Sequence, residues 1–175
     1  MNDFRNIKIG LVENRKEKNP LFTGTLSEFV AYIRKGFWQD EIEAVRDAVR
    51  EHGRDSGPHK TFKNALPAVV LSVEFSSRDK DLPDKNKFIF YNYILQNDTD
   101  LHDEKVLDEW KQKFAKDKYR LFTAISPSGD GLKGAVAVKL PEGITIDATN
   151  LRDYHKRIAD YFYFVRFIYL NFINK

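Results

Sequence analysis

The chain has no cysteine, so disulfides and thiolate metal sites are excluded, and their absence fits a reducing interior. Nor is there an uninterrupted apolar run of the ~18 residues that a membrane-spanning helix needs. The most apolar stretch, Tyr161–Ile173, is broken by Arg166 and Asn171. Residues Met1–Gly10 carry charge early and lack an apolar core run, so no signal peptide is expected. Charge of one sign is also scarce. Lys and Arg number 29 against 26 Asp and Glu, a formal net charge of +3. Such a small excess does not by itself imply nucleic acid, and the sequence pI near 8.9 does not oppose it. No internal repeat or low-complexity segment is present. The expectation is a non-membrane, cytoplasmic protein.

What is there suits a packed globule. The 175 residues are 42% hydrophobic and 14% aromatic, enough for one domain, residues 1–175, with a real core. Asn6–Val12 alternates Ile7, Ile9 and Leu11 with other residues, the period of a half-buried strand. Thr25 or Ser27 can cap a helix carrying Leu26, Phe29, Val30 and Ile33, which Gly36 ends. A second helix starts at Asp40, and His52–Pro58 reads as a loop. Pro67–Phe75 and Lys87–Leu95 read as strands, with a charged turn region between them. Asp100–Lys116 has amphipathic helical register. A hairpin of Arg120–Ile125 and Gly134–Lys139 follows, and Thr149 or Asn150 caps a last helix. This order predicts one α+β domain with a mainly antiparallel sheet.

The hairpin connection is the most informative segment: Ser126-Pro127-Ser128-Gly129-Asp130-Gly131-Leu132-Lys133. Gly129 and Gly131 carry no Cβ and permit close approach of the backbone to a ligand. Successive N–H groups, the hydroxyls of Ser126 and Ser128, and the charge of Lys133 together suit a phosphate. The same residues also suit a plain glycine-containing turn with a solvated lysine.

Four histidines, His52, His59, His102 and His155, form no i, i+4 pair, so zinc is not expected. His59, beside Lys60 and Lys63, is expected to be exposed. The aromatic tail Tyr161–Leu170, interrupted by Arg166, suits base stacking or, more simply, a buried helix end or a dimer interface. Phe167 and Tyr169 are its candidate interface residues.

Several blocks in order resemble the N-terminal domain of virulence-associated protein E, a primase-like module of the archaeo-eukaryotic primase superfamily. They are Ile7–Val12 with Pro20 and Leu26–Gly36; Phe37–Arg46; Lys63-x-x-Leu66-Pro67-Ala68-Val69 with Phe75-x-x-Arg78; and the Ser-Pro-Ser-Gly-x-Gly-Leu-Lys run at Ser126–Lys133. The resemblance implies an RRM-like, primase-like sheet with helices packed on it, and a nucleotide held by Ser126, Ser128, Gly129, Gly131 and Lys133. It also implies a mobile-element or phage-like origin.

Active relatives carry an Asp-x-Asp pair on a strand, which shares divalent metal, Mg²⁺ or Mn²⁺. Aligned on the strand Phe88–Ile94, those positions are Asn92 and Ile94, a poor pair for a hard dication. Asp98 and Asp100 are expected in a turn, off the strand register. A third acid belongs to a strand that the chain, ending at Lys175, does not complete, so the domain is expected to be truncated relative to the family. The leading expectation is therefore a catalytically degenerate primase-like domain that binds nucleotide or single-stranded nucleic acid, without an assured metal. The alternatives are an interaction module that docks a protein partner or a second copy through its aromatic C-terminus, and an active metal-dependent nucleotidyltransferase using Asp98 or Asp100.

Overall fold

The computed structural model describes residues 4–14, 16–100 and 103–160. A short 3-10 turn, Phe4–Asn6, leads into β1 (Lys8–Val12) and β2 (Phe22–Thr25). Helices α1 (Leu26–Arg34), α2 (Gln39–His52) and α3 (Gly57–Ala65) follow, then β3 (Ala68–Val70) and β4 (Val73–Phe75). Next come the single turn α4 (Asp84–Lys87), β5 (Phe88–Tyr91), β6 (Ile94–Asp100), α5 (Glu104–Ala115), β7 (Arg120–Ile125) and β8 (Gly131–Ala137). Residues 151–160 are helical again. The α+β class is as expected, and the strand pairings among the described residues are antiparallel.

The sheet is divided into three parts, ordered β2-β1-β3, β4-β5 and β6-β8-β7. Two expected strands are each broken. Pro67–Phe75 splits at Leu71-Ser72 into β3 and β4, which belong to different sheets. Lys87–Leu95 splits at Asn92-Tyr93, where Tyr93 takes a positive φ of 55°. Asn92 explains this break. Its buried amide donates to the carbonyls of Lys8 and Leu71 at 2.8 and 2.9 Å, tying the crossover to β1 and to the β3–β4 link.

Helix α1 begins with the expected Thr25 cap, closed by Glu28 in a reciprocal capping box. The backbone N–H and side-chain hydroxyl of Thr25 both reach this carboxylate, which is held below its ordinary pKa by them. Asp40 lies in the first turn of α2, whose N-cap position is Trp38. Helix α3 begins at Gly57, inside the segment His52–Pro58 expected to be loop, and is a helix the sequence pattern does not predict. Ser56 accepts the His59 N–H, and Pro58 occupies the first turn, where its missing N–H costs nothing.

Two clusters form the core, one on either face of β8. On one side, Ile9, Leu26, Leu71, Ile94 and Ala135 are buried with Phe29 and Phe122 against them, the last two edge to face at 6.1 Å. On the other, α5 lays Leu107, Trp110 and Phe114 on Leu132. This second contact fixes the rotation of β8. With Leu132 turned into the core, its neighbour Lys133 must project from the other face.

Candidate functional site

The hairpin turn is shorter than expected, and β8 already begins at Gly131. Gly131 and Lys133 are therefore strand residues, and only 126–130 make the turn. Gly131 sits opposite Asp100 and Lys133 opposite Asp98 in the β6–β8 ladder. Directly opposed residues point to one face. The arrangement thus gathers Asp98, Asp100 and Lys133 on one side of the sheet.

Asp98 and Asp100 do not lie in a turn. They end β6 two residues apart, share a face and are both exposed, whereas Asn97 between its neighbours is buried. Pairing with β8 extends β6 through a polar stretch whose side-chain pattern alone gives no strand signal. Asn92 and Ile94, the positions matched to the family acids, are both in the interior. One is a buried hydrogen-bond tie and the other a core residue, so neither is available to a ligand.

The two serines also differ from expectation. Both are buried, and their hydroxyls point inward. Ser126 donates to Asp130 at 3.3 Å, and its N–H bonds the Gly131 carbonyl at 2.8 Å. Ser128 Oγ lies 3.0 Å from Nε2 of His59. The turn closes through the Gly129 N–H to the Ser126 carbonyl, with Gly129 at φ 87°. This conformation strongly favours glycine. The serine hydroxyls therefore brace the turn, and the groups left facing outward are cations and carboxylates.

His59 is buried, contrary to the expectation of exposure. Its Nδ1 contacts the Arg54 carbonyl closely, which assigns the proton to Nδ1 and leaves Nε2 to accept from Ser128. Burial follows from α3 docking beside the turn, a contact across 69 residues that local polarity does not reveal.

Arg54, in the α2–α3 connection, completes the constellation. Its guanidinium grips Asp130 through two contacts of 2.8 and 2.9 Å and reaches Asp100 at 3.4 Å. Lys133 Nζ contacts Asp98 directly. Arg46 of α2 lies against Gly129, its Nε 3.7 Å from where a β-carbon would stand there. That Nε is buried and makes no hydrogen bond, and its Nη1 is 3.8 Å from Glu43. The sequence gives no sign that Arg46, Arg54 and His59 meet the turn, because they approach it from another part of the chain.

Among the described residues, no group of three or more His, Cys, Asp or Glu has metal-binding geometry. Two exposed carboxylates on one strand nonetheless fit a Mg²⁺ or Mn²⁺ that takes its other oxygens from phosphates and water. Two concavities, of about 390 Å³ beside Asp40 and Phe62 and about 300 Å³ beside Phe75 and Leu151, lie elsewhere. Phe167 and Tyr169, together with the rest of the aromatic tail, lie outside the described residues. Among the described residues, no helix is long and apolar enough to cross a membrane.

Residues 61–166 match the model of the BT4734-like, N-terminal domain. The chain belongs to that family. The matched stretch holds β6, α5, β7, β8 and the turn, and it begins just after Arg46, Arg54 and His59. No curated protein and no solved structure matches the chain.

Proposed function

We propose that this domain is a primase-like module that binds a nucleoside triphosphate, or a nucleic-acid phosphate, together with a divalent cation. One observation carries the reading: Asp98 and Asp100 share an exposed strand face with Lys133, beside Arg54 and the glycine turn. Lys133 and Arg54 would hold phosphate oxygens, the latter through its planar fork. Asp98 and Asp100 would hold Mg²⁺ or Mn²⁺, which supplies charge neutralisation and activation of a hydroxyl in nucleotidyl transfer. The turn braced by Ser126 and Ser128 would leave Gly129 as the glycine a phosphate can approach, whereas Gly131 is buried against the Thr99 carbonyl and Asp100.

Asn92 and Ile94 are one ground for a degenerate site and the uncompleted third acid is the other; Asp98 and Asp100 would supply the carboxylate pair that Asn92 and Ile94 do not. Binding without transfer is the second reading. It is favoured by the lack of a third carboxylate in metal geometry among the described residues.

The test is the thermal midpoint of the chain with excess dNTP or NTP in Mn²⁺, in Mg²⁺ and in EDTA. Ligand at ~100 times its dissociation constant adds about 2.7 kcal/mol, and at roughly 2–4 °C per kcal/mol for a chain of this size the midpoint rises by about 5–11 °C. A metal-requiring shift that Lys133→Ala abolishes supports the proposal. Primer extension in Mn²⁺, lost in Asp98→Ala or Asp100→Ala, then separates transfer from binding alone. No shift with any nucleotide or oligonucleotide overturns the proposal.

A further inference from the structure

We infer that the site is latched by its own ion pairs, so that a divalent cation and a nucleoside triphosphate enter it together and exclude each other's solitary binding. The inference rests on the reading above and concerns how that same site is regulated. Each group needed for a ligand is already engaged by a group needed for the other ligand. Lys133 is held on Asp98, and Arg54 spans Asp100 and Asp130. The carboxylates that would meet a cation are covered by cations. The cations that would meet phosphate are covered by carboxylates.

A lone dication must approach two carboxylates while an ammonium and a guanidinium stand in contact with them. Displacing those groups leaves like charges at close range in a partly screened environment. A lone triphosphate faces the opposite conflict. Drawing Lys133 and Arg54 onto its oxygens leaves Asp98, Asp100 and Asp130 uncompensated beside a strongly anionic ligand. The two ligands together remove both conflicts by exchanging partners: carboxylate to metal, ammonium and guanidinium to phosphate. Nothing in the exchange needs a large motion, because Asp98 and Lys133 are direct neighbours in the ladder and both side chains are partly exposed. The geometry therefore acts as a charge latch that responds to the metal–nucleotide complex and resists free nucleotide and free metal.

Loosening the latch has a consequence that a plain metal site does not share. Asp98→Asn removes the anionic partner of Lys133 and keeps the side-chain shape at an exposed position. Free ATP in EDTA should then bind more tightly than to the unaltered chain, by about tenfold, or about 1.4 kcal/mol. MnATP should bind more weakly, so that the metal dependence collapses from both directions. A site whose carboxylates only repel free ATP gives the same gain from Asp98→Asn with Lys133→Ala in place, whereas the latch gives the larger gain when Lys133 is present to be released.

Isothermal titration of the full chain with Mn²⁺ alone, ATP in EDTA and MnATP reads this directly, with Asp98→Asn and Asp100→Asn run beside it. Thermal unfolding establishes that each variant folds, and Asp100→Asn tests the Arg54 arm if the first variant does not. The expected result is MnATP binding at least tenfold tighter than ATP to the unaltered chain, with ATP gaining affinity in a variant. Equal affinity for ATP and MnATP, or no gain for ATP in a folded variant, overturns the latch while leaving a phosphate site standing. Absence of binding by every form of nucleotide overturns the latch and the function it rests on.

Discussion

His59 Nε2 and Ser128 Oγ lie 3.0 Å apart, and through them helix α3 holds the turn that joins β7 to β8. The imidazole is bonded at both nitrogens, its Nδ1 fixed by the Arg54 carbonyl. Arg54 in turn reaches from this connection to Asp130 and Asp100. A structural tie thus positions the cation that the proposed site uses.

His59→Ala removes that tie and leaves the Ser128 hydroxyl and the Arg54 carbonyl without it. An unmet buried polar group costs about 1–3 kcal/mol. The variant should lose that much stability in urea denaturation, and amide exchange at 126–130 should speed up more than in α5. His59→Gln, which can bond only one of the two partners, should fall between. Unchanged exchange in the turn would show that it stands without His59.

Asn92→Asp tests which strand position carries the acid pair. If Asn92 were a worn metal ligand, restoring aspartate would create cation binding. The structure leads to the opposite expectation. The Asn92 amide donates to two backbone carbonyls in a buried crossover, and a carboxylate there would face acceptors with no proton to offer. Stability should drop by about 3–5 kcal/mol, the range for an uncompensated buried charge. Neither Mn²⁺ nor Mg²⁺ should restore the thermal midpoint.

How much of this was legible in the sequence depended on how local the cause was. The β7 boundaries, the Thr25 cap and the α+β class follow from patterns within a few residues of each feature. The strand character of Asp98–Asp100 does not, because Gln96, Asp98 and Asp100 put polar groups on the open face and Asn97 puts another on the covered one. Pairing with β8 and an Arg120 contact to Asn97 at 3.0 Å make that strand possible. Helix α3 was hidden for a different reason. Its first residues, Gly57 and Pro58, signal a turn unless Ser56 is recognised as a cap. The cations Arg46 and Arg54 carry no motif, and only the fold brings them to the turn.

Gly131→Ala separates packing from binding. A β-carbon at this position would stand 2.6 Å from the backbone carbonyl oxygen of Thr99, too close for any rotamer change to relieve. Overpacking of this kind costs about 1–3 kcal/mol. The variant should unfold at lower urea and move the end of β6, carrying Asp100 with it. Loss of nucleotide binding in Gly131→Ala therefore reports displaced carboxylates and not a blocked phosphate. Lys133→Ala, at a partly exposed position, should leave the stability measured in urea within about 0.5 kcal/mol of the unaltered chain, as surface changes usually do.

Tyr91 and His155 should give the fold opposite sensitivities at the two ends of the pH scale. The phenol oxygen lies 3.3 Å from Nδ1 of His155, in the contact between β5 and the helical stretch 151–160. Burial lowers the imidazole pKa below its ordinary 6.5, so the folded state resists the proton that the unfolded chain accepts. The resulting stability is fully present above the unfolded pKa and is lost as pH falls below about 6.5 toward the folded value. Burial pushes the Tyr91 phenol up to about 12, with the neighbouring Tyr93 adding to the shift. Between about 10 and 12 the unfolded chain gives up a proton that the folded chain keeps, so stability falls as pH rises. Urea midpoints measured from pH 5 to pH 11 should form a plateau between these windows. His155→Gln should flatten the acid limb and Tyr91→Phe the alkaline one. An acid limb unchanged in His155→Gln would assign that loss of stability to the carboxylates instead, among them Glu28 and Asp147, whose hydrogen bonds hold their pKa values low.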